Sequence, residues 1–134
     1  MKRVWIAAFV ILTMVSLGVA KQPKLIKATI EPAVASVGDT VKVTVEFSGK
    51  ASDIREVSFL PREYAYEVSP YYMTKAEKTK KNVWVLIGPI PYEAEPGIYH
   101  LEISAYDKNG KEIITPKYKD QEFGRTGLIK LEIK

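Results

Sequence analysis

The stretch PGIYHLEISAYDKNGKEI, residues 96 to 113, decides the fold. Its middle alternates strictly, with Tyr99, Leu101, Ile103 and Ala105 on one side and His100, Glu102 and Ser104 on the other. Successive side chains of a strand point to opposite faces, so the pattern predicts a half-buried strand, one face on a core and one in water. The run closes on DKNG, where Asn109 and Gly110 tolerate the positive φ that a tight hairpin needs. The stretch is scaffold first.

The same period recurs on either side. In TVKVTVEF, residues 40 to 47, Val41, Val43, Val45 and Phe47 alternate with Lys42, Thr44 and Glu46. The terminal GLIKLEIK sets Ile129, Leu131 and Ile133 against Lys130, Glu132 and Lys134. Weaker strands are expected at Leu25 to Ile30, Glu56 to Leu60 and Tyr64 to Val68. VWVLI, residues 83 to 87, is apolar on both faces, as a central or covered strand would be. Gly- and Pro-bearing segments such as EPAVASVGD, SGKASD and GPIPYEAEPG separate these runs. About seven short strands at this spacing predict an all-β, antiparallel sandwich.

Two of these segments carry a resemblance. EPAVASVGDTVKVTVEFSG followed by VWVLIGPIPYEAEPGIYHLEISAYDKNGK resembles the immunoglobulin-like, fibronectin type III-like modules of bacterial extracytoplasmic proteins. There a P-x-x-V-x-x-G-D turn leads into the second strand, and a PG-x-Y-x-L-x-I-x-A-x-D-x-x-G run forms the sixth strand and its hairpin. The resemblance covers most of residues 28 to 111 and implies an immunoglobulin-like sandwich. It implies no single function, because such modules serve as spacers, adhesins, carbohydrate binders and chaperones. The antibody-type cysteine pair is absent, and Trp84 falls in the expected fifth strand rather than the third. Tyr99, at the start of the sixth strand, is placed to act as a corner tyrosine.

The first twenty residues differ from all that follow. Lys2 and Arg3 precede an apolar run from Val4 to Val15 broken only by Thr13, and Gly18 and Ala20 close it. This order predicts a signal peptide over 1–20, cleaved after Ala20. The alternative is an uncleaved N-terminal anchor, the only part through which membrane contact is expected; its 17 apolar-rich residues sit at the lower limit for a span. Residues 21–134 are expected to form one sandwich domain in a periplasmic or extracellular setting. Without residues 1–20 the chain holds 18 basic and 16 acidic residues, a charge of +2, which argues against nucleic acid as a partner. There is no cysteine, so packing and hydrogen bonding must replace the disulfides common in exported domains. Scarce Asn and Gln beside plentiful Lys and Glu is the bias expected of a thermophile.

Catalytic chemistry is hard to assemble from these residues. Hydrolysis needs a base near a nucleophile, and the only histidine, His100, is expected on the exposed face of its strand. There is no thiol and no Gly-rich phosphate loop. Glu93 and Glu95 precede the sixth strand and Asp107 follows it, which sets them some 30 Å apart at ~3.3 Å per residue, too far to share a metal. No catalytic residue, metal site or cofactor is expected.

Binding remains, and two surfaces compete for it. KAEKTKK, residues 75 to 81, shares an end of the expected sandwich with the loop from Gly49 to Asp53 and the long interval from 107 to 126. The candidate binding residues there are Lys75, Lys78, Lys80, Lys81, Lys117, Tyr118, Lys119 and Arg125. Ten basic and six acidic residues give that end a charge of +4, suited to an anionic envelope polymer or an acidic protein. The plainer reading is that these lysines only solvate loops. KEII could also be a strand paired to the sixth, shrinking the interval to TPKYKDQEFGRT and leaving open whether 111–114 or 127–133 is the last core strand. The second surface is YAYEVSPYY, whose Tyr64, Tyr66, Tyr71 and Tyr72 could form a stacking platform for sugar or merely cover the core edge. The expected function is thus an exported, non-catalytic interaction module of the cell envelope, acting through its loop end. The alternatives are a carbohydrate-binding module and an accessory subunit of a larger envelope assembly.

Overall fold

The structure, a computed structural model, describes residues 22–64, 66–116 and 128–134. The expected signal segment, and Lys117, Tyr118, Lys119 and Arg125, lie outside them. The described residues form nine strands: β1 (Leu25–Glu31), β2 (Val34–Ala35), β3 (Thr40–Phe47), β4 (Ile54–Pro61), β5 (Tyr71–Tyr72), β6 (Thr74–Lys75), β7 (Asn82–Pro89), β8 (Gly97–Asp107) and β9 (Ile129–Ile133). One sheet runs β1-β3-β7-β6 and the other β2-β9-β8-β4-β5. Every pairing is antiparallel except that of β2 with β9. This division of the strands is that of an immunoglobulin-like β-sandwich.

The alternating runs explain the layers. Val43, Val45 and Phe47 of β3 face Leu101, Ile103 and Ala105 of β8 across the gap, and all are buried. Ile129, Leu131 and Ile133 of β9 and Val57 and Phe59 of β4 complete the same core. β7 lies between β3 and β6, as its apolar sequence suggests, with Trp84 and Leu86 packed on the core and Ile87 exposed on the outer face. Tyr99 does act at the corner: its hydroxyl donates to the Glu95 carbonyl. Burial, aided by a side-chain hydrogen bond with Tyr64, pushes its phenol up to about 12.

One expectation needs correction. Tyr64 to Val68 is not a strand. Tyr64 ends a 3-10 turn, Arg62–Tyr64, and its carbonyl accepts the N–H groups of both Glu67 and Val68. The Tyr64 ring instead stacks on Tyr99, with centroids 5.6 Å apart. His100 stands on the outer side of β8, as expected, and is engaged there: its main-chain N–H donates to Glu63 Oε1 at 2.8 Å and its ring meets Glu63 Oε2. Burial works to raise the Glu63 carboxyl, but the hydrogen bonds from His100 outweigh it and hold the group below its ordinary value.

The question around KEII resolves into a division of labour along β8. β9 pairs with the first half, Gly97 to Leu101. Past the turn, Glu112 bridges Tyr106, and Ile113 donates to the Ala105 carbonyl and is buried. Thr115 Oγ1 donates to the Ile103 carbonyl at 2.8 Å.

Candidate functional site

Three turns meet at the end of the sandwich where β3 and β8 finish and β4 and β7 begin, and one buried side chain joins two of them. Asn82, 1% exposed, donates through Nδ2 to the carbonyls of Ser48 and Lys50, each at 3.2 Å. Its Oδ1 accepts the Trp84 indole N–H at 2.7 Å. Asp53 ties the third turn in, with its carbonyl accepting the Lys108 N–H at 2.9 Å and Oδ1 lying 3.5 Å from Lys108 Nζ. Asp107 shapes the DKNG hairpin: Oδ1 accepts the N–H groups of Asn109 and Lys111, both at 2.9 Å, and Oδ2 accepts Gln22 Nε2 at 3.2 Å. Gly110 takes the left-handed position, at φ +79.

Asp53 and Asp107 are therefore engaged with the backbone of this end, with Gln22 and with Lys108, while Glu77 stands exposed among the lysines. Lys75, Lys78, Lys80 and Lys81 are all exposed, and none forms an ion pair among the described residues. The structure thus gathers these four candidates on β6 and the turn that follows it.

The Asp107 arrangement gives an acid-stability prediction. The Lys111 N–H foremost, then those of Asn109 and the Gln22 amide, hold its carboxyl below the ordinary 3.8 against the opposing effect of burial. A depressed folded-state pKa stabilises fully above the unfolded value and is lost as pH falls through the folded one. The Asp107→Asn variant should show less loss of thermal midpoint than the parent between pH 5 and 2, measured by circular dichroism; equal slopes would contradict the assignment.

The four tyrosines do not share a plane. Tyr64 stacks on Tyr99, and Tyr71 stacks on Phe59 with centroids 5.3 Å apart, so both rings serve the core. Tyr66, 97% exposed, and Tyr72, 56% exposed, project from separate segments. With no strand at Tyr64 to Val68, Tyr64 and Tyr66 have no common strand face.

Opposite the lysine end, a cavity of about 670 Å³ lies between the sheets. Val41, Val43 and Leu86 wall it from one side and Phe59, Tyr99 and Leu101 from the other. The edge strands explain why it is open. β6 pairs only with Trp84 and Val85, so β7 runs on from Leu86 to Pro89 beyond it. β5 likewise pairs only with Ser58 and Phe59. At Gly88, which lines the cavity, a Cβ would meet no atom within 4 Å. No sequence signal pointed to it, because Gly88 follows the expected strand VWVLI and opens the turn segment GPIPYEAEPG.

Among the described residues there is no group of three or more His, Cys, Asp or Glu that could hold a metal ion. Nor is any helix there long and apolar enough to cross a membrane.

No family model matches the chain, and no curated protein does. Solved structures do show similar chain paths. A Niemann-Pick type C2 protein from the Japanese carpenter ant is 9% identical, with 85% of this chain and 94% of that one covered and a TM-score of 0.47. The GspB Siglec domain is 11% identical, covering 86% and 58%, with a TM-score of 0.49. The Pseudomonas fluorescens alkylpurine DNA glycosylase AlkC, bound to DNA containing an abasic site analog, is 10% identical over 84% of this chain and 30% of its own, with a TM-score of 0.44. At these identities and scores they say nothing of ligand or activity.

Proposed function

We propose that the chain is an exported, non-catalytic binding module of the bacterial cell envelope that holds an anionic envelope polymer at its lysine-bearing end. The carrying observation is that Lys75, Lys78, Lys80 and Lys81 stand exposed without ion-pair partners among the described residues, while Asp53 and Asp107 at the same end are engaged locally. A single exposed ion pair contributes only ~0–1 kcal/mol. A polymer offers many anionic groups at once, so several weak contacts act together. The Asn82 network holds two of the turns at this end, which limits the ordering cost of binding. The fibronectin type III-like sequence pattern and the leader-like residues 1–20 support the envelope setting.

Co-sedimentation of the purified protein with cell-envelope polymer at low and high salt tests this reading. Binding should fall as salt screens the charges, since the Debye length drops from about 30 Å at 0.01 M to about 3 Å at 1 M. The triple variant Lys78→Glu, Lys80→Glu, Lys81→Glu should lose binding at low salt by about tenfold or more, since three contacts at ~0.5 kcal/mol each already amount to that. Undiminished binding by the folded triple variant would sink the proposal. Salt-resistant binding released by free sugar would instead favour Tyr66 and Tyr72. Absence of polymer binding at both salts would leave an acidic protein as the partner to seek.

A further inference from the structure

We propose that the cavity between the sheets is a second binding site, taking the aliphatic tail of a long-chain amphiphile whose head group is uncharged or cationic. The size of about 670 Å³ falls within the ~300–1,000 Å³ typical of small-molecule sites and far exceeds ordinary packing defects. Its walls are aliphatic and aromatic, and the Tyr99 hydroxyl is already committed to the Glu95 carbonyl. An apolar tail therefore fits the interior better than a polar body. A peptide helix, ~10–12 Å across with its side chains, is too thick to enter between sheets packed ~10 Å apart.

Gly88 marks the position independently. Glycine within a strand weakens it and often marks a place where a ligand or another backbone approaches closely. Here any side chain would enter the space reserved for the tail, and the backbone itself does not require glycine, since Gly88 is not among the positive-φ glycines.

Charge selects the head. Among the described residues, Glu93 is the one charged side chain on the cavity lining. The described residues at that end include Asp39, Glu63, Glu67, Glu93 and Glu95; against them stand Arg62, whose Nε lies 3.9 Å from Glu102, Lys134, and His100, which engages Glu63. A carboxylate head would meet repulsion there, whereas an alcohol or an ammonium would not. The lysines project from the opposite end, so this site does not depend on the polymer reading.

The test uses N-phenyl-1-naphthylamine, a neutral dye that fluoresces in apolar surroundings, with the purified protein. The dye should light up and be displaced by dodecanol and dodecylamine at concentrations about fivefold or more below those required of laurate, as ~1 kcal/mol of screened charge interaction implies. Gly88→Phe should lose dye uptake while unfolding cooperatively at or above the parent's midpoint. Gly88→Leu, which fills less of the space, provides the same reading if the larger ring prevents folding. The lysine triple variant should take up dye like the parent. No uptake by the folded parent, or full uptake by a folded Gly88 variant, would overturn the site. Displacement by laurate as effective as by dodecylamine would overturn the head-group selection.

Discussion

Asn82→Leu should lower stability by about 3 kcal/mol, and the thermal midpoint by on the order of 10 °C. The replacement nearly matches the shape of the buried side chain, so packing changes little and the loss is one of hydrogen bonding. The carbonyls of Ser48 and Lys50 lose their donor, and the Trp84 indole N–H loses its acceptor. A buried polar group left without a partner costs ~1–3 kcal/mol. Three groups lose a partner, but Ser48 is half-buried and Lys50 exposed, so water recovers most of the carbonyl loss and the total stays near about 3 kcal/mol rather than three times the cost of one group. Asn82→Asp offers a sharper contrast. It keeps an acceptor for Trp84 but sets a carboxylate against two carbonyl oxygens, so its stability should improve at acid pH, where the group can donate. Thermal and urea unfolding measure both; a loss below about 1 kcal/mol for the leucine variant would show that the hub is dispensable.

The second large effect is expected at Ile103. This residue sits midway along β8, the longest strand described, and is 0% exposed. Truncation to Ala removes three carbons from a site walled by both sheets, where collapse is limited, and should cost about 3–4 kcal/mol. Ile98 supplies the control: on the same strand but 48% exposed, its replacement by Ala should stay within about 0.5 kcal/mol. Urea unfolding should show a lower midpoint for Ile103→Ala with an unchanged slope, because the surface exposed on unfolding is nearly the same. Similar losses at the two positions would mean that the core is not centred where the structure places it.

What could be read in advance depended on how local the physics was. β3, β8 and β9 declared themselves because each buries one face, and period-two alternation follows directly from that. The role of Tyr99 was legible because the corner bond spans only four residues, to Glu95. Tyr64 to Val68 misled because tyrosine and valine favour strands, while the deciding contact, a ring stack on Tyr99, joins residues far apart in sequence. The pairing of His100 with Glu63 was hidden for the same reason, since the two belong to different elements. The cavity lay further from view. Its walls draw on residues from Ile30 to Ile133, and its defining feature is a side chain that Gly88 does not have. No periodicity announces such a gap.

The parallel pairing of β2 with β9 has a mechanical meaning. The Glu132 N–H donates to the Ala33 carbonyl at 2.8 Å and the Lys134 N–H to the Ala35 carbonyl at 2.9 Å. After β1, the chain crosses to the second sheet to make these bonds. When the two terminal regions are pulled apart, parallel neighbours slide lengthwise past each other, so both bonds share the load in shear. An antiparallel pair at this place would instead unzip one bond at a time. Tension applied through β9 would therefore load this short clasp along its length.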